Sequence, residues 1–199
     1  MPSQFPEVRT AIRRIRDLGR TTSPVVVALD GRSGTGKSTL AEWMASQLGG
    51  IRVDQDDFYA GGELHDWQRL TPREKADRVI DWRRVRDEVL LPLRQGRAAR
   101  WHPFDWDTMT GLSPDTIAVP PSRLVILDGA YSARPELADL VDLSILVTLD
   151  DAVRRERLRQ REGEDLASGW HAVWDEAEDY YFGIVRPPEA FDLVISRPS

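Results

Sequence analysis

The sequence predicts an α/β domain, a parallel sheet with helices between its strands, and three observations carry that expectation. Short β-branched runs alternate with helix-length amphipathic stretches along the 199 residues. The strand runs are continuously apolar rather than alternating, as suits strands covered on both faces. Between the first such run and the helix after it, Gly31-Arg32-Ser33-Gly34-Thr35-Gly36-Lys37-Ser38 fits G-x-x-x-x-G-K-[ST] at every fixed position.

Composition narrows the class. A chain of this length is read as one domain, residues 1–199, able to bury roughly 70% of its unfolded surface. The formal net charge of -6 argues against a nucleic-acid partner, which calls for a basic footprint. Without cysteine there is no disulfide framework, thiolate metal site or thiol nucleophile. The first residues lack the charged-then-apolar layout of a signal peptide, and no apolar run approaches membrane-spanning length, so the reading is a cytosolic protein with no membrane partner.

In chain order, Val8, Ile12, Ile15 and Leu18 keep helical spacing among arginines, and Gly19 ends that helix. Pro24 to Asp30 is the first strand. The glycine-rich loop then aims backbone N–H groups inward, and the following helix adds the positive end of its dipole, so the nest selects polyphosphate. Lys37 would reach the β- and γ-phosphates and the Ser38 hydroxyl would ligand Mg²⁺. Gly31, Ser33, Gly34, Thr35, Gly36, Lys37, Ser38 and Thr39 are therefore the nucleotide-binding candidates. Lys37 is one of two lysines against 25 arginines, which suggests that its point-charge ammonium is needed there. The helix places Leu40, Trp43, Met44 and Leu48 on one face and stops at Gly49-Gly50.

Ile51 to Tyr59 begins as a strand and ends in carboxylates, which should face the phosphates because ligands bind beyond the carboxyl ends of parallel strands. If the strand persists, Asp54 and Asp56 share one face and Asp57 takes the other. From the residues alone, either Asp56 or Asp57 could be a catalytic base. Thr71-Pro72-Arg73-Glu74 reads as a capped helix start, and a second helix runs from Asp81 to Gly96 with Pro92 kinking or shortening it. These helices interrupt the alternation, as in a lobe over an acceptor substrate, about residues 60–120. Arg100 to Asp107 is dense in aromatics and acids; this suits a planar or hydroxylated ligand and equally a small core, and His102 reads as structural.

Arg123 to Gly129 is a buried strand ending in Asp128, the pattern of an acid that holds Mg²⁺ directly or through water. After the strand Leu143 to Leu149, a helix carries Arg154, Arg157 and Arg161 on one face, as in a lid (about 154–170, tip 163–169) that neutralises charge on a transferring phosphoryl group. The bland alternative is a solvated face paired with Glu156 and Glu162. A helix from Trp170 and a strand from Phe191 to Ile195 complete the chain.

Taken together, these residues resemble the uridine kinase-like group of P-loop small-molecule kinases. The likeness rests on Gly31 to Ser38, Gln55-Asp56-Asp57-Phe58-Tyr59, the Asp81-Trp82 helix start, Phe104-Asp105, Leu127-Asp128-Gly129 and the arginine helix. It implies a parallel sheet ordered 2-3-1-4-5, Mg-ATP as donor, and phosphorylation of a hydroxyl on a small metabolite. By the same resemblance Asp56 is the base, with Lys37 and the lid arginines Arg154, Arg157 and Arg161 catalytic beside it. Asp81 contacts a ribose, Phe104 stacks on a base where tyrosine is usual, and Asp128 stands for a magnesium-binding glutamate. Tyr59, Asp105 and Trp106 complete the acceptor side. The group's pyrimidine-reading histidine is expected after Phe104-Asp105, but this chain continues Trp106-Asp107-Thr108-Met109, which leaves room for a sugar or another hydroxylated acceptor. A nucleoside monophosphate kinase and a nucleotide-dependent regulatory module are the rival readings. A homo-oligomer is compatible with each. A guanine-reading N-K-x-D is excluded, since the chain has no asparagine.

Overall fold

The structure, a computed structural model, describes residues 5–163 and 169–197, the side chain of Glu162 excepted. Helix α1 (Pro6–Leu18) leads into strand β1 (Val25–Asp30), and the glycine loop into helix α2 (Lys37–Leu48). Strand β2 (Ile51–Asp54) gives way to a 3-10 turn, Gln55–Phe58. The helices α3 (Leu64–Gln68) and α4 (Pro72–Arg78) follow, and α4 carries the full capping box expected from Thr71 and Glu74. The next helix starts as α5 (Trp82–Arg84), passes through a π-helical segment, Val85–Leu90, and resumes as α6 (Leu91–Arg94). Pro92, with no N–H to give, sits in the first turn after that π segment, so the helix changes register ahead of the proline instead of ending.

A two-stranded antiparallel hairpin, β3 (Ala99–Trp101) and β4 (Ile117–Val119), precedes strands β5 (Leu124–Asp128) and β6 (Leu143–Thr148). Helix α7 (Asp151–Glu162), helix α8 (Trp170–Tyr180) with its π-helical extension Tyr181–Val185, and strand β7 (Leu193–Ser196) close the fold. The main sheet is parallel in the order β2-β5-β1-β6-β7. With the hairpin left out of the count, that order is 2-3-1-4-5, as the resemblance implied.

Along β1, Val25, Val27 and Leu29 enter one apolar layer with α1 and α2, while Val26 and Ala28 enter the other with α3, α4, α6 and α8. Successive side chains of a strand point to opposite faces, so a strand covered on both sides must be apolar throughout. Register then decides where the chemistry sits. Leu29 and Asp54 each pair with Asp128, which brings the carboxyl ends of β1, β2 and β5 level at one edge of the sheet. Among the described residues, no helix is long and apolar enough to cross a membrane.

Candidate active site

The phosphate-binding loop leaves β1 at Asp30 and enters α2 at Lys37. Gly31 adopts φ +151°, and a Cβ there would lie 2.4 Å from the Val147 carbonyl oxygen, so no side chain fits. Gly36 caps α2 in the left-handed region, φ 80°. The loop's shape is held from outside by charged groups. Asp30 is fully buried and accepts hydrogen bonds from the N–H groups of Gly31, Tyr131 and Ala133 and from the Tyr181 hydroxyl, at 2.8–2.9 Å. Burial nevertheless pushes its pKa up to about 6. It ties the loop to the segment after β5 and to the end of α8.

Other contacts revise two expectations. Ser33 spends both its N–H and its hydroxyl, each at 3.0 Å, on the buried carboxylate of Glu178 in α8, so its N–H is not aimed at a phosphate site. Arg154, expected in the lid, is 2% exposed; it pairs with Asp151 at 2.8 Å and Asp175 at 3.5 Å and donates to the Ser33 carbonyl at 3.2 Å. Its guanidinium therefore braces the loop rather than reaching over it. Arg157 is exposed and its Nη1 comes within 3.8 Å of where a Gly36 Cβ would stand. Arg197, beyond β7, donates to the Gly36 carbonyl at 2.9 Å, and burial together with the charge of Arg157 lowers its pKa. Arg161 lies exposed farther along α7, and the lid tip at residues 164–168 lies outside the described residues. Lys37 turns back over the loop to the Arg32 carbonyl at 3.4 Å, as does the buried Thr35 hydroxyl at 2.9 Å; Thr39 is exposed.

The acids meet at the level edge of the sheet. Strand β2 ends at Asp54, whose carboxylate caps the 3-10 turn by accepting the Asp56 N–H at 3.1 Å. The turn replaces the strand alternation expected for Asp54, Asp56 and Asp57. Asp56 is exposed to solvent. Desolvation there, with the charges of Asp54, Asp128 and Asp57, raises its pKa to about 6, while Lys37 pulls the other way. Asp57 is engaged instead, accepting the Trp101 indole N–H at 2.9 Å and, through its carbonyl, the Phe104 N–H at 2.7 Å. That leaves Asp56 as the carboxylate open to a substrate.

Asp128 is completely buried. One oxygen receives Arg52 Nε at 2.7 Å, and Arg52 also bridges to Asp54 at 2.6 Å. The other, Oδ1, has no hydrogen-bond partner although it is buried, and the Ser38 side chain lies beside the carboxylate. A hydroxyl and an unpartnered carboxylate oxygen next to a phosphate-binding loop fit Mg²⁺, which takes one or two protein oxygens and completes its shell with phosphate and water. Burial keeps the Asp128 pKa raised against the pull of Arg52, and a cation would relieve it.

Beyond the 3-10 turn, Tyr59, Trp67, Phe104, Trp106 and Trp174 form a cluster of rings. Two expected contacts are used locally. Asp81 caps α5 by accepting the Arg84 N–H at 3.4 Å, and Asp105 shapes its own turn by accepting the N–H groups of Asp107 and Thr108 at 3.1 Å. Sequence reasoning missed Asp30, Arg52, Glu178 and Arg197. Asp30 had a signal, as the last residue of the strand before the loop. Glu178 and Arg197 act on the loop from 145 and 161 positions away, which no local pattern reveals.

No protein-family model matches the chain. A uridine kinase of Limosilactobacillus reuteri is 30% identical over 186 residues, covering 86% of this chain and 83% of that protein. A uridine kinase of Brevibacillus brevis is 28% identical, with 83% and 77% covered. A solved structure from Bacillus stearothermophilus, described as a possible uridine kinase, superposes with a TM-score of 0.70 at 20% identity, covering 95% of this chain and 97% of that one, which supports the fold. With its phosphate loop, level acids and parallel sheet, the chain belongs to the uridine kinase-like family of P-loop kinases.

Proposed function

We propose that the protein transfers the γ-phosphoryl group of Mg-ATP to a hydroxyl of a small metabolite, a uridine- or cytidine-like nucleoside or a related hydroxylated compound. The observation that carries this reading is the convergence at the sheet edge, where the solvent-open Asp56, capped by Asp54, stands with Asp128 at the mouth of the phosphate loop; desolvation and the neighbouring acids push its pKa up to about 6. A general base works best when its pKa is near the working pH, and this one is ionised yet basic at neutrality.

The loop's N–H groups and Lys37 would hold the nucleotide phosphates, and Ser38 and Asp128 would hold Mg²⁺. Bound there, the ion would offset charge on the phosphates. Asp56 would accept the acceptor's hydroxyl proton and orient its oxygen in line with the γ-phosphorus. Lys37, with Arg157 and Arg161 from α7, would stabilise charge on the transferring group, while Arg154 keeps the loop in shape. Substituting Asp56→Asn keeps size and removes the base. Turnover should fall roughly a hundredfold or more with ATP affinity near normal; an unaltered rate would remove Asp56 from this role.

A further inference from the structure

Tyr59 lies three residues past Asp56, and its ring is closed in by aromatic neighbours. Trp106 lies almost parallel to it, centroids 5.2 Å and planes 14° apart, and Trp67 stacks at 6.0 Å. Phe104 and Trp174 turn their edges to it at 4.8 and 5.5 Å. Tyr59 is left 5% exposed, and its hydroxyl is buried with no hydrogen-bond partner. Trp67 and Phe104 are buried, whereas Trp106 is 49% exposed and forms the outer plate of the cluster. The loop that carries it is shaped by the Asp105 turn, by the bridge between Phe104 and Leu112, and by Met109 at φ +57°. The Phe104 N–H fastens that loop to the carbonyl of Asp57, directly beside the proposed base.

We infer that Trp106 is a specificity residue: its indole fills the position a planar ring would take against Tyr59, and the acceptor is therefore a non-aromatic hydroxylated compound of the sugar, polyol or hydroxy-acid class. This rests on the kinase reading and narrows it. A pyrimidine and the indole compete for the same π-face, and the tethered indole holds it at a high effective concentration. A pyrimidine would have to displace Trp106 from two ring contacts, with Tyr59 and with Phe104 at 4.9 Å.

The test is an equilibrium titration of the full chain, wild type and Trp106→Ala, with uridine and with ribose, in the presence of Mg²⁺ and a non-hydrolysable ATP analogue. Uridine should bind the variant at least tenfold more tightly than the wild type, while ribose binds the two within about twofold. Equal uridine affinity for both proteins, weaker uridine binding by the variant, or no uridine binding by either would overturn the inference. Binding of the ATP analogue in the same samples, lost in Lys37→Ala, separates each of those results from failure of the kinase reading.

Discussion

With Asp56 as the proposed base, the acid limb of the pH–rate profile should follow its titration, and Asp54→Asn should move it. Desolvation is the largest cause of the raised Asp56 pKa, and the charge of Asp54 comes next. An asparagine keeps the oxygen that accepts the Asp56 N–H at 3.1 Å and removes that charge. A neighbouring carboxylate charge at a solvent-open position is worth about 1 kcal/mol, and 1.36 kcal/mol is one pKa unit, so the limb should shift down by roughly half to one unit. With a pKa of about 6, wild-type activity at pH 5 should be roughly a tenth of its plateau. In the variant it should rise about threefold to roughly a third. The assay is initial rate from pH 4.5 to 8 with nucleotide and acceptor well below their KM values, which reports the free enzyme; titration of ATP itself is common to both proteins. A wild-type profile flat down to pH 4.5, or a limb that does not move in Asp54→Asn, would refute the assignment.

Lys37→Ala should lower both ATP affinity and turnover by at least a hundredfold, since on the proposed reading the ammonium would touch phosphate in the ground and transition states; full activity would overturn the assignment of the phosphate loop. Tyr181→Phe removes one hydrogen bond to the Asp30 carboxylate and should cost about 1.5–3 kcal/mol at pH 7, or roughly 4–8 °C in Tm. Because the folded-state pKa of Asp30 is raised, the folded protein holds that proton more tightly between about pH 4 and 6, and stability falls as pH rises through that window. The Tyr181→Phe loss should accordingly be smaller at pH 5, where Asp30 is largely protonated, and melts showing an equal loss at both pH values would contradict this. Arg154→Ala should cost about 1–3 kcal/mol, less than a fully buried pair because Asp151 is mostly exposed, and should raise the KM for ATP; thermal melts and nucleotide titration check both effects.

The parts of the fold that were legible are those dictated by local physics. Apolar runs such as Val25 to Leu29 can only be strands covered on both faces, and the Gly31 to Ser38 spacing names its own turn and helix. The hairpin of Ala99–Trp101 and Ile117–Val119 was missed because three residues are too few to establish alternation. The 3-10 turn at Gln55–Phe58 was hidden because Asp54 caps it with its own side chain, and the preceding apolar residues read only as strand. At the candidate site, Lys37 and Asp128 drew attention because one begins α2 and the other ends β5 at the sheet's carboxyl edge, and Asp56 because it follows β2 by two residues. Arg154 was misjudged because helical spacing gives a face but not what covers it: it shares its face with Arg157 and Arg161, yet packs against the loop. Glu178 and Arg52 belong to charge networks that exist only after the chain has folded.

The central claim is phosphoryl transfer from ATP to a hydroxyl, and product analysis tests it most directly. Purified protein, Mg²⁺ and ATP would be incubated with a panel of nucleosides, nucleotides, sugars, polyols and hydroxy acids, and the products read by mass spectrometry. One acceptor class should gain a single phosphoryl group as an ester, with ADP formed in equal amount and the reaction abolished in Lys37→Ala. ATP hydrolysis with no phosphorylated acceptor, or transfer onto a phosphate to form a new anhydride, would contradict the claim.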